Sequence, residues 1–400
     1  MSYDVAIVGA GPAGLAFVRS LEGSGLRVAS IDQLSKATLE HPPVDGRDIA
    51  LTHLSVKIMQ SLGAWDLIDP ESVSPIHQAK VLDGQSPKTL NFDTGGQNLE
   101  ALGYLVSNHL LRKALYEVVE PMECVDFHTD SLVRSVSLGD DGAEIELDDG
   151  EKIESRLVIA ADNRFSLTRR QVGIGADMLD FGREAIVCWM EHEQSHDNTA
   201  FECFHYGRTL AVLPMPGNVS SIVVTARADE AEHLAHLSPE AYARDIEQRF
   251  EHRLGSMQMI GERHRYPLVG VHARQFVKRR FALVGDAAVG MHPVTAHGFN
   301  LGLSGQDILA QQVRKAAEQG RDIGGMDVLK AYERKHMMVT RPLFHGTNSI
   351  VGLFTNDSAP AKLIRKAVLN VSDKLPPVKW FIREKLTTEK HGLGFPLPLF

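Results

Sequence analysis

A glycine-rich loop near the N-terminus carries the clearest chemical signal in the sequence. Residues 9–14 read Gly-Ala-Gly-Pro-Ala-Gly and stand between a β-branched run at 5–8 and a segment with helical spacing. In such a loop the first glycine allows a tight turn, the second lets a phosphate approach the backbone, and the third lets the helix pack closely. Free N–H groups at the start of the helix point at the phosphates. The pattern predicts a dinucleotide site at Gly9, Gly11, Pro12, Ala13 and Gly14, with an ordinary tight turn as the alternative.

An acidic residue at the end of the next apolar run supports the same interpretation. Residues 26–31 form a second mostly apolar run, and Asp32 follows it. A carboxylate at this place after the glycine loop accepts hydrogen bonds from ribose hydroxyls in dinucleotide-binding β–α–β units. Strand, loop, helix, strand and terminal acid therefore all agree.

A second candidate site follows a strand late in the chain. The apolar run at 281–284 ends in Gly285-Asp286, and residues 292–298 read His-Pro-Val-Thr-Ala-His-Gly before a predicted helix. Asp286 could accept hydrogen bonds from the ribityl hydroxyls of a flavin, or could cap a helix. The N-terminus of the following helix is partly positive and can stabilise negative charge on a reduced flavin.

Composition excludes several classes of protein. The chain has 400 residues, a net charge of −9 and 43% hydrophobic residues, and it has no long basic run, so we expect no nucleic-acid partner. Its three cysteines are far apart, which predicts a reducing, cytoplasmic compartment rather than a disulfide framework. The N-terminus is typical of a strand rather than a signal peptide, and no apolar stretch approaches the roughly 20 residues of a membrane span.

The predicted elements divide the chain into an α/β domain, an inserted sheet domain and a C-terminal region. Helices are expected at 55–62, 105–119, near 229–253, from about 298, at 328–345 and at 358–390, and a hairpin at 132–136 and 145–147. Short alternating runs between 180 and 270 indicate a mostly antiparallel sheet. We predict a discontinuous Rossmann-like domain from 1–74, 103–179 and 271–345, a mixed-sheet substrate domain from 75–102 and 180–270, and C-terminal helices with an apolar tail at 346–400.

One metal-like motif is expected to be a coincidence. Residues 192–196 read His-Glu-Gln-Ser-His, which matches the zinc-protease pattern H-E-x-x-H. That chemistry needs both histidines on one helical face. Here the motif follows a strand-like run and precedes a turn signal, so we predict a polar hairpin loop and no metal.

The motifs together resemble the class A flavoprotein monooxygenases, which have the fold of 4-hydroxybenzoate hydroxylase. The resemblance rests on GAGPAG at 9–14, a version of the Asp-Gly motif at Asp162-Asn163, and GDAAVGMHPVTAHGFNLG at 285–302, in family order. The segments GRDIALTHLSVKIMQSLGAWD and LGYLVSNHLLRKAL are similar to the ubiquinone-biosynthesis hydroxylases, and the GMHPVTAHGFN form is similar to their broad-range branch. Val289, Asn163 and Ala296-His297 depart from the usual family residues.

The resemblance implies roles for residues that the pattern alone leaves open. Taken by itself, Arg47 is better explained by a solvated surface charge than by a cofactor contact. The family implies FAD contacts for a wider set: Arg47, Asn108, Arg112, Asp162, Asp286, Gly298, Phe299 and Asn300. We expect His292 and His297 to be polar groups facing the flavin ring, with Pro293 shaping their loop, although each histidine could equally hold structure. Tyr206, Leu213 and Pro214 are expected to line the substrate pocket, although their alternating spacing also fits an ordinary strand.

The implied activity is hydroxylation of an aromatic ring. NADPH or NADH would reduce FAD, O2 would add to give a C4a-hydroperoxyflavin, and a polyprenylated phenol or quinol of ubiquinone biosynthesis would accept one oxygen. A flavin reductase acting on a prenyl chain, or a flavin-binding scaffold of a biosynthetic complex, remain alternatives. The apolar tail, GFPLPLF, could pack on the body, form a homodimer or complex contact, or touch the inner membrane peripherally.

Overall fold

The computed structural model describes residues 2–83, 89–94, 99–205, 207–291 and 297–355, folded as α/β layers around three sheets. The helices are α1 Pro12–Ser20, α2 Lys36–Glu40, α3 His53–Ser61, α4 Asn108–Val119, α5 Leu167–Gln171, α6 Ala228–His236, α7 Pro239–Arg249, α8 His297–Glu318 and α9 Met326–Thr355. The strands of the first half are β1 Ser2–Val8, β2 Val28–Ile31, β3 Asp48–Leu51, β4 Ser74–Ile76, β5 Gln78–Asp83, β6 Thr89–Phe92, β7 Gly103–Ser107, β8 Val125–His128, β9 Val133–Leu138 and β10 Ala143–Leu147. Those of the second half are β11 Lys152–Ala160, β12 Ala176–His192, β13 Thr199–His205, β14 Arg208–Pro214, β15 Val219–Arg227, β16 Met257–Ala273, β17 Val277–Lys278, β18 Phe281–Leu283 and β19 Val289–Gly290.

The first sheet is the Rossmann-like layer that the N-terminal sequence predicts. Its order is β17-β18-β11-β1-β2-β8, and β1 runs parallel to both β2 and β11. Strand β1 is buried on both faces from residue 5 to 8, which explains its unbroken β-branched and small apolar run. Helices α1 and α8 pack together beside it. The predicted hairpin is confirmed as β9 and β10, which join this sheet through β11.

The second sheet confirms a distinct layer inserted into the first. Its order is β19-β16-β12-β15-β14-β13-β5-β6, and all pairings are antiparallel except that of β13 with β5. Strands β5 and β6 come from the segment before residue 103, so the two parts predicted for this domain do share one sheet. The proposed boundaries at 180 and 270 fall inside β12 and β16. Each of these strands has 17 residues, which is long enough to connect one layer to the other.

One predicted helix begins too early. Residues 105–107 belong to β7, which pairs with β3 and β4 in a small third sheet, and α4 begins only at Asn108. Leu105 and Val106 are buried by pairing with Ala50 and Ile49. A short apolar run fits the periodicity of a helix and that of a strand, so pairing with the neighbouring strands decided that these residues form a strand.

The C-terminal half of the described chain is helical. Helix α8 begins at His297, one residue before the predicted start, and α9 extends ten residues past the predicted end at 345. The helix expected at 358–390 and the apolar tail lie outside the described residues. No helix within the described ranges is long and apolar enough to cross a membrane. Cys124, Cys188 and Cys203 are free thiols, as their spacing predicted.

Candidate active site

One cavity of about 1020 Å³ lies between the first and second sheets. One end of the cavity is lined by the glycine loop, Asp32 and the segment after β11. Its middle is walled by the β3 segment, the start of α4, Asp286 and the start of α8. Its far end is formed by β13, β14 and β15, with these side chains: Glu202, Thr209, Ala211, Leu213, Val223 and Thr225.

The three glycines of the loop meet three different requirements. Gly9 has φ of 108°, and a Cβ there would lie 2.5 Å from the carbonyl oxygen of Ala161. A Cβ at Gly14 would overlap the carbonyl oxygen of Gly9. A Cβ at Gly11 would meet no protein atom within 4 Å and would occupy open space at the cavity wall. Gly9 and Gly14 are therefore demanded by the fold, whereas Gly11 leaves room for a ligand.

The start of α1 supplies donors for an anion. Its N-cap is Gly11, with no side-chain cap, and Pro12 takes the first helical position. The N–H groups of the first turn therefore have no side-chain acceptor and face the region above the loop. Asp32 braces the loop, because its Oδ2 accepts from the N–H of Ala10 at 2.6 Å and its Oδ1 from the N–H of Leu34 at 2.8 Å. Each oxygen keeps a second lone pair for a ligand hydroxyl.

The segment after β11 presents an acceptor that lacks a donor. The Oδ2 of Asp162 accepts from the Ser166 hydroxyl at 2.8 Å, while its Oδ1 is buried without a partner among the described residues. Burial raises the pKa of this carboxyl despite the hydrogen bond from Ser166. A buried acceptor left open in this way fits a ligand donor or a bound water. Asn163 turns the chain by accepting from the N–H of Phe165.

Arg47 is half-exposed, and its guanidinium is paired with a neighbouring carboxylate. Its guanidinium lies 2.6 Å from the Oδ2 of Asp45 and 5.4 Å from the ring centre of Tyr266. Asn108 donates to the same oxygen at 2.8 Å. Burial is the largest single influence on the pKa of Asp45 and raises it, but the hydrogen bonds and charge of Arg47, together with the Asn108 bond, outweigh burial and lower the net pKa. Arg47, Asn108 and Arg112 all line the cavity, so these three predicted residues are brought together.

The second motif packs beside the glycine loop, since a Cβ at Gly285 would lie 2.8 Å from the Cβ of Ala13. Asp286 pairs with Arg164 at 3.0 Å, and both line the cavity with Gly298 and Phe299. Asn300 faces elsewhere: it accepts from the N–H of Thr52 at 3.0 Å and donates to the carbonyl of Ala50 at 2.9 Å. These bonds fix the start of α8 against β3, and a cofactor contact for Asn300 stays a prediction.

Three of the six remaining predicted site residues are in the described part of the chain, and three are not. His292, Pro293 and Tyr206 lie outside the described residues, so their roles stay predictions. His297 is the first residue of α8. Leu213 lines the cavity, whereas Pro214 is buried at the end of β14.

Two acidic residues of the cavity wall were missed by sequence reasoning. Asp48 accepts from the hydroxyl of Ser107 at 2.6 Å and from the indole N–H of Trp189 at 2.8 Å, which ties β3 to the second sheet. Burial raises its pKa despite these bonds. Glu202 lies mid-strand on β13, and its Oε1 is buried with no hydrogen-bond partner among the described residues. The only sequence signal was an acid within the alternating run AFECFHYG.

The zinc-like motif is a strand end and a turn. His192 ends β12 and contacts Ser220 and the carbonyl of Gln194, while His196 contacts the carbonyl of Met215. Asp197 and Asn198 both have positive φ, as expected for a tight turn. Within the described ranges no group of three or more His, Cys, Asp or Glu could hold a metal.

Comparisons with known proteins agree with this geometry. Residues 2–345 match the family model described as the FAD binding domain. Ubiquinone hydroxylase UbiM of Neisseria meningitidis serogroup C is 48% identical over 388 residues, covering 96% of this chain and 84% of that protein. Ubiquinone hydroxylase UbiL of Rhodospirillum rubrum is 35% identical over 390 residues, covering 97% and 90%. The crystal structure of p-nitrophenol 4-monooxygenase PnpA from Pseudomonas putida DLL-E4 superposes with a TM-score of 0.78 at 18% identity, covering 97% and 99%.

The fold is that of the FAD-dependent monooxygenases, as the sequence motifs predicted. The chain belongs to the FAD binding domain family, in the group of flavoprotein monooxygenases that contains the ubiquinone hydroxylases. The residues present fit FAD, because Gly11 leaves open space, the start of α1 is uncapped, and Asp162 keeps a buried acceptor.

Proposed function

We propose that this protein hydroxylates the aromatic ring of a polyprenylated phenol or quinol in ubiquinone biosynthesis, with NADPH or NADH as reductant and O2 as co-substrate. Support comes from the two relatives named as ubiquinone hydroxylases, which match nearly the whole chain. The observation that carries the proposal is a continuous cavity, which joins a dinucleotide-type glycine loop to a wall of mostly small side chains.

The cofactor end would hold FAD with backbone and charge. The pyrophosphate would lie over Gly11 at the start of α1, with Asp32 on the ribose and Arg47 and Arg112 near the negative charge. Asp162 and Asp286 would accept hydrogen bonds from the cofactor. When bound and reduced, FAD supplies the oxygen-activating chemistry that amino-acid side chains lack.

The sheet end would hold the aromatic ring and exclude water. Ala211, Leu213 and Val223 present a shallow apolar surface on which a flat ring can lie. Burial of the ring against such a surface is favourable by about 25 cal/mol per Å² of apolar area. The ring would then lie between β14 and β15 on one side and the start of α8 on the other. His292 and His297 are proposed as the polar groups beside the reacting ring, with Pro293 shaping their loop.

The location and partners follow from the proposed substrate. A polyprenylated phenol resides in a bilayer, so we propose a cytoplasmic protein that takes its substrate at the inner membrane surface. Contact with a second copy or with other enzymes of the same route is a further proposal, tested by size-exclusion chromatography with multi-angle light scattering.

The reaction is tested with purified FAD-loaded protein, NADPH and a short-chain prenylated phenol under 18O2. We expect a product that has gained one oxygen-18 atom, detected by mass spectrometry, and no product without the reductant. A product that has gained two hydrogens would indicate a reductase. Retained FAD with no turnover of any phenol would indicate a scaffold, and either result would reject the hydroxylase proposal.

A further inference from the structure

Strand register places one carboxyl group on the cavity face of the second sheet. Glu202 on β13 is directly opposite Ala211 on β14, and Ala211 is directly opposite Val223 on β15. Directly opposed residues point to the same face of a sheet. All three line the cavity, so the register and the cavity wall agree on where Glu202 points.

The side chains around this carboxyl on the cavity face are small, and their only donors are two threonine hydroxyls among the described residues of that face. The next row of the same face contains Thr209 opposite Thr225, and both line the cavity. On the other side of β13, Glu202 is paired with Val81 of β5. Thr209 is the neighbour that interacts with the carboxyl, and Oε1 has no partner in the described part of the chain.

The opposite face of the sheet differs from the face on which Glu202 lies. The neighbours of Glu202 along the strand, Phe201 and Cys203, face the other way and pack with Leu210, Val212 and the helices α6 and α7. That face is an ordinary closed core. A buried polar atom without a partner is unfavourable by about 1–3 kcal/mol, so a carboxyl on the cavity face rather than in a solvated position calls for an explanation.

Burial raises the pKa of Glu202 to about 8. The group is therefore mostly a neutral acid at pH 7. A neutral carboxyl has one O–H donor and an open carbonyl acceptor, whereas the ionised form has acceptors only. Both forms can accept a hydrogen bond from a hydroxyl group, and the ionised form makes the stronger bond.

We propose that Glu202 is a substrate-anchoring residue, whose Oε1 accepts the hydrogen bond of a ring hydroxyl when a phenol lies against β14 and β15. The inference rests on the proposed function for the aromatic substrate and adds the group that recognises it. A ring lacking the hydroxyl would leave Oε1 unpaired, so Glu202 makes the site selective for phenols over plain arenes.

The test measures binding, and needs no turnover. Equilibrium dialysis of FAD-loaded, unreduced protein gives the dissociation constants of 2-geranylphenol and geranylbenzene, which differ by the hydroxyl alone. We expect Glu202→Leu to reduce the preference for the phenol about tenfold or more, and Glu202→Gln to keep part of it, because the amide oxygen still accepts. Glu191→Gln, at an exposed carboxyl on β12 of the same sheet, is the matched control and should change nothing.

A pH series separates anchoring from a merely structural role. The wild-type preference for the phenol should rise between pH 7 and 9 as the carboxyl ionises, and the rise should vanish in Glu202→Gln. Other ionisable groups nearby are Cys203 and Lys80 on the opposite face, and those across the cavity: Arg47, Asp48, Asp162, Arg164 and Asp286. All of these are kept in the Gln variant, so a pH-dependent preference that persists there would assign the effect to them and overturn the proposal.

The outcomes distinguish this inference from the proposed function. If the protein hydroxylates phenols but Glu202→Leu and Glu202→Gln both keep the full preference, the anchor is wrong and the function stands. If the preference depends on Glu202 but no oxygen is transferred, the anchor stands and the hydroxylase proposal fails. Glu202→Gln is nearly isosteric, so it gives an answer even if Glu202→Leu does not fold.

Discussion

The two ends of the cavity are built by opposite means. At the cofactor end, the centre of the site is a continuous loop with backbone N–H groups and glycines within the first β–α–β unit, and Arg47, Asp162 and Asp286 add side chains around it. At the sheet end, the wall takes one to three side chains from each of three strands, and its polar groups are one carboxyl and two threonine hydroxyls. The cofactor end is therefore specified by conformation, and the substrate end by strand register and side-chain identity.

Because of this difference, we expect the two ends of the cavity to tolerate different substitutions. A side chain added at one of the three loop glycines would occupy space that the backbone or the ligand already fills. A sheet wall of small residues accepts changes of shape but responds sharply to a change in its one carboxyl group. The following variants test the contrast, first at the glycine loop, then at the sheet wall and finally at the start of α8.

Gly14→Ala should destabilise the fold itself. Its Cβ would overlap the carbonyl oxygen of Gly9, which is backbone and cannot rotate away. We expect the free energy of unfolding of the FAD-free protein to fall by about 3 kcal/mol, measured by urea denaturation. Gly346→Ala on α9 is the control, since a Cβ there meets nothing within 4 Å. An unchanged midpoint for Gly14→Ala would mean that the loop is less tightly packed than described.

Gly11→Val should remove cofactor binding and leave the fold intact. The added side chain projects into open space at the cavity wall, where the pyrophosphate is proposed to lie. We expect FAD affinity to fall about 100-fold, equivalent to about 2.7 kcal/mol, with an unfolding midpoint of the FAD-free protein close to wild type. A variant that purifies with full FAD would place the cofactor elsewhere.

Glu202→Gln should change how stability depends on pH. The pKa of Glu202 is about 8 in the folded protein against an ordinary value of 4.5, so between these values the folded state holds a proton that the unfolded state releases. Stability from this group is complete below pH 4.5 and is lost as pH rises towards 8, at up to about 1.4 kcal/mol per pH unit. The Gln variant should therefore gain on wild type between pH 5 and 8 in urea denaturation. Parallel curves would show that the carboxyl is ionised and solvated.

Asn300→Ala should have the smallest effect, and mainly on stability. The side chain joins α8 to the β3 segment through Thr52 and Ala50. Loss of these bonds should lower the free energy of unfolding by about 1 kcal/mol, with FAD affinity reduced less than threefold. A large loss of FAD with unchanged stability would instead make Asn300 a cofactor ligand, as the family resemblance implied.

Local patterns were enough to predict much of the cofactor end. The glycine loop, the flanking strands and Asp32 are contiguous, and loop chemistry depends on φ and on the absence of a Cβ, which residue type reveals. The predicted start of α4 was wrong by three residues, because buried Leu105 and Val106 are compatible with either a helix or a strand. Arg47 was ambiguous until Asp45 and Tyr266 were found beside it.

The sequence by itself determined the dinucleotide loop, the division into two layers and the absence of a zinc helix at 192–196, since each follows from short-range periodicity and turn chemistry. Only the tertiary structure decided that Glu202 and Asp48 line the same cavity, and that Asn300 faces β3 rather than the cavity. The physical reason is that the facing of a strand side chain is set by register with partners far along the chain. A shift of one residue would turn Glu202 out of the cavity and Cys203 into it.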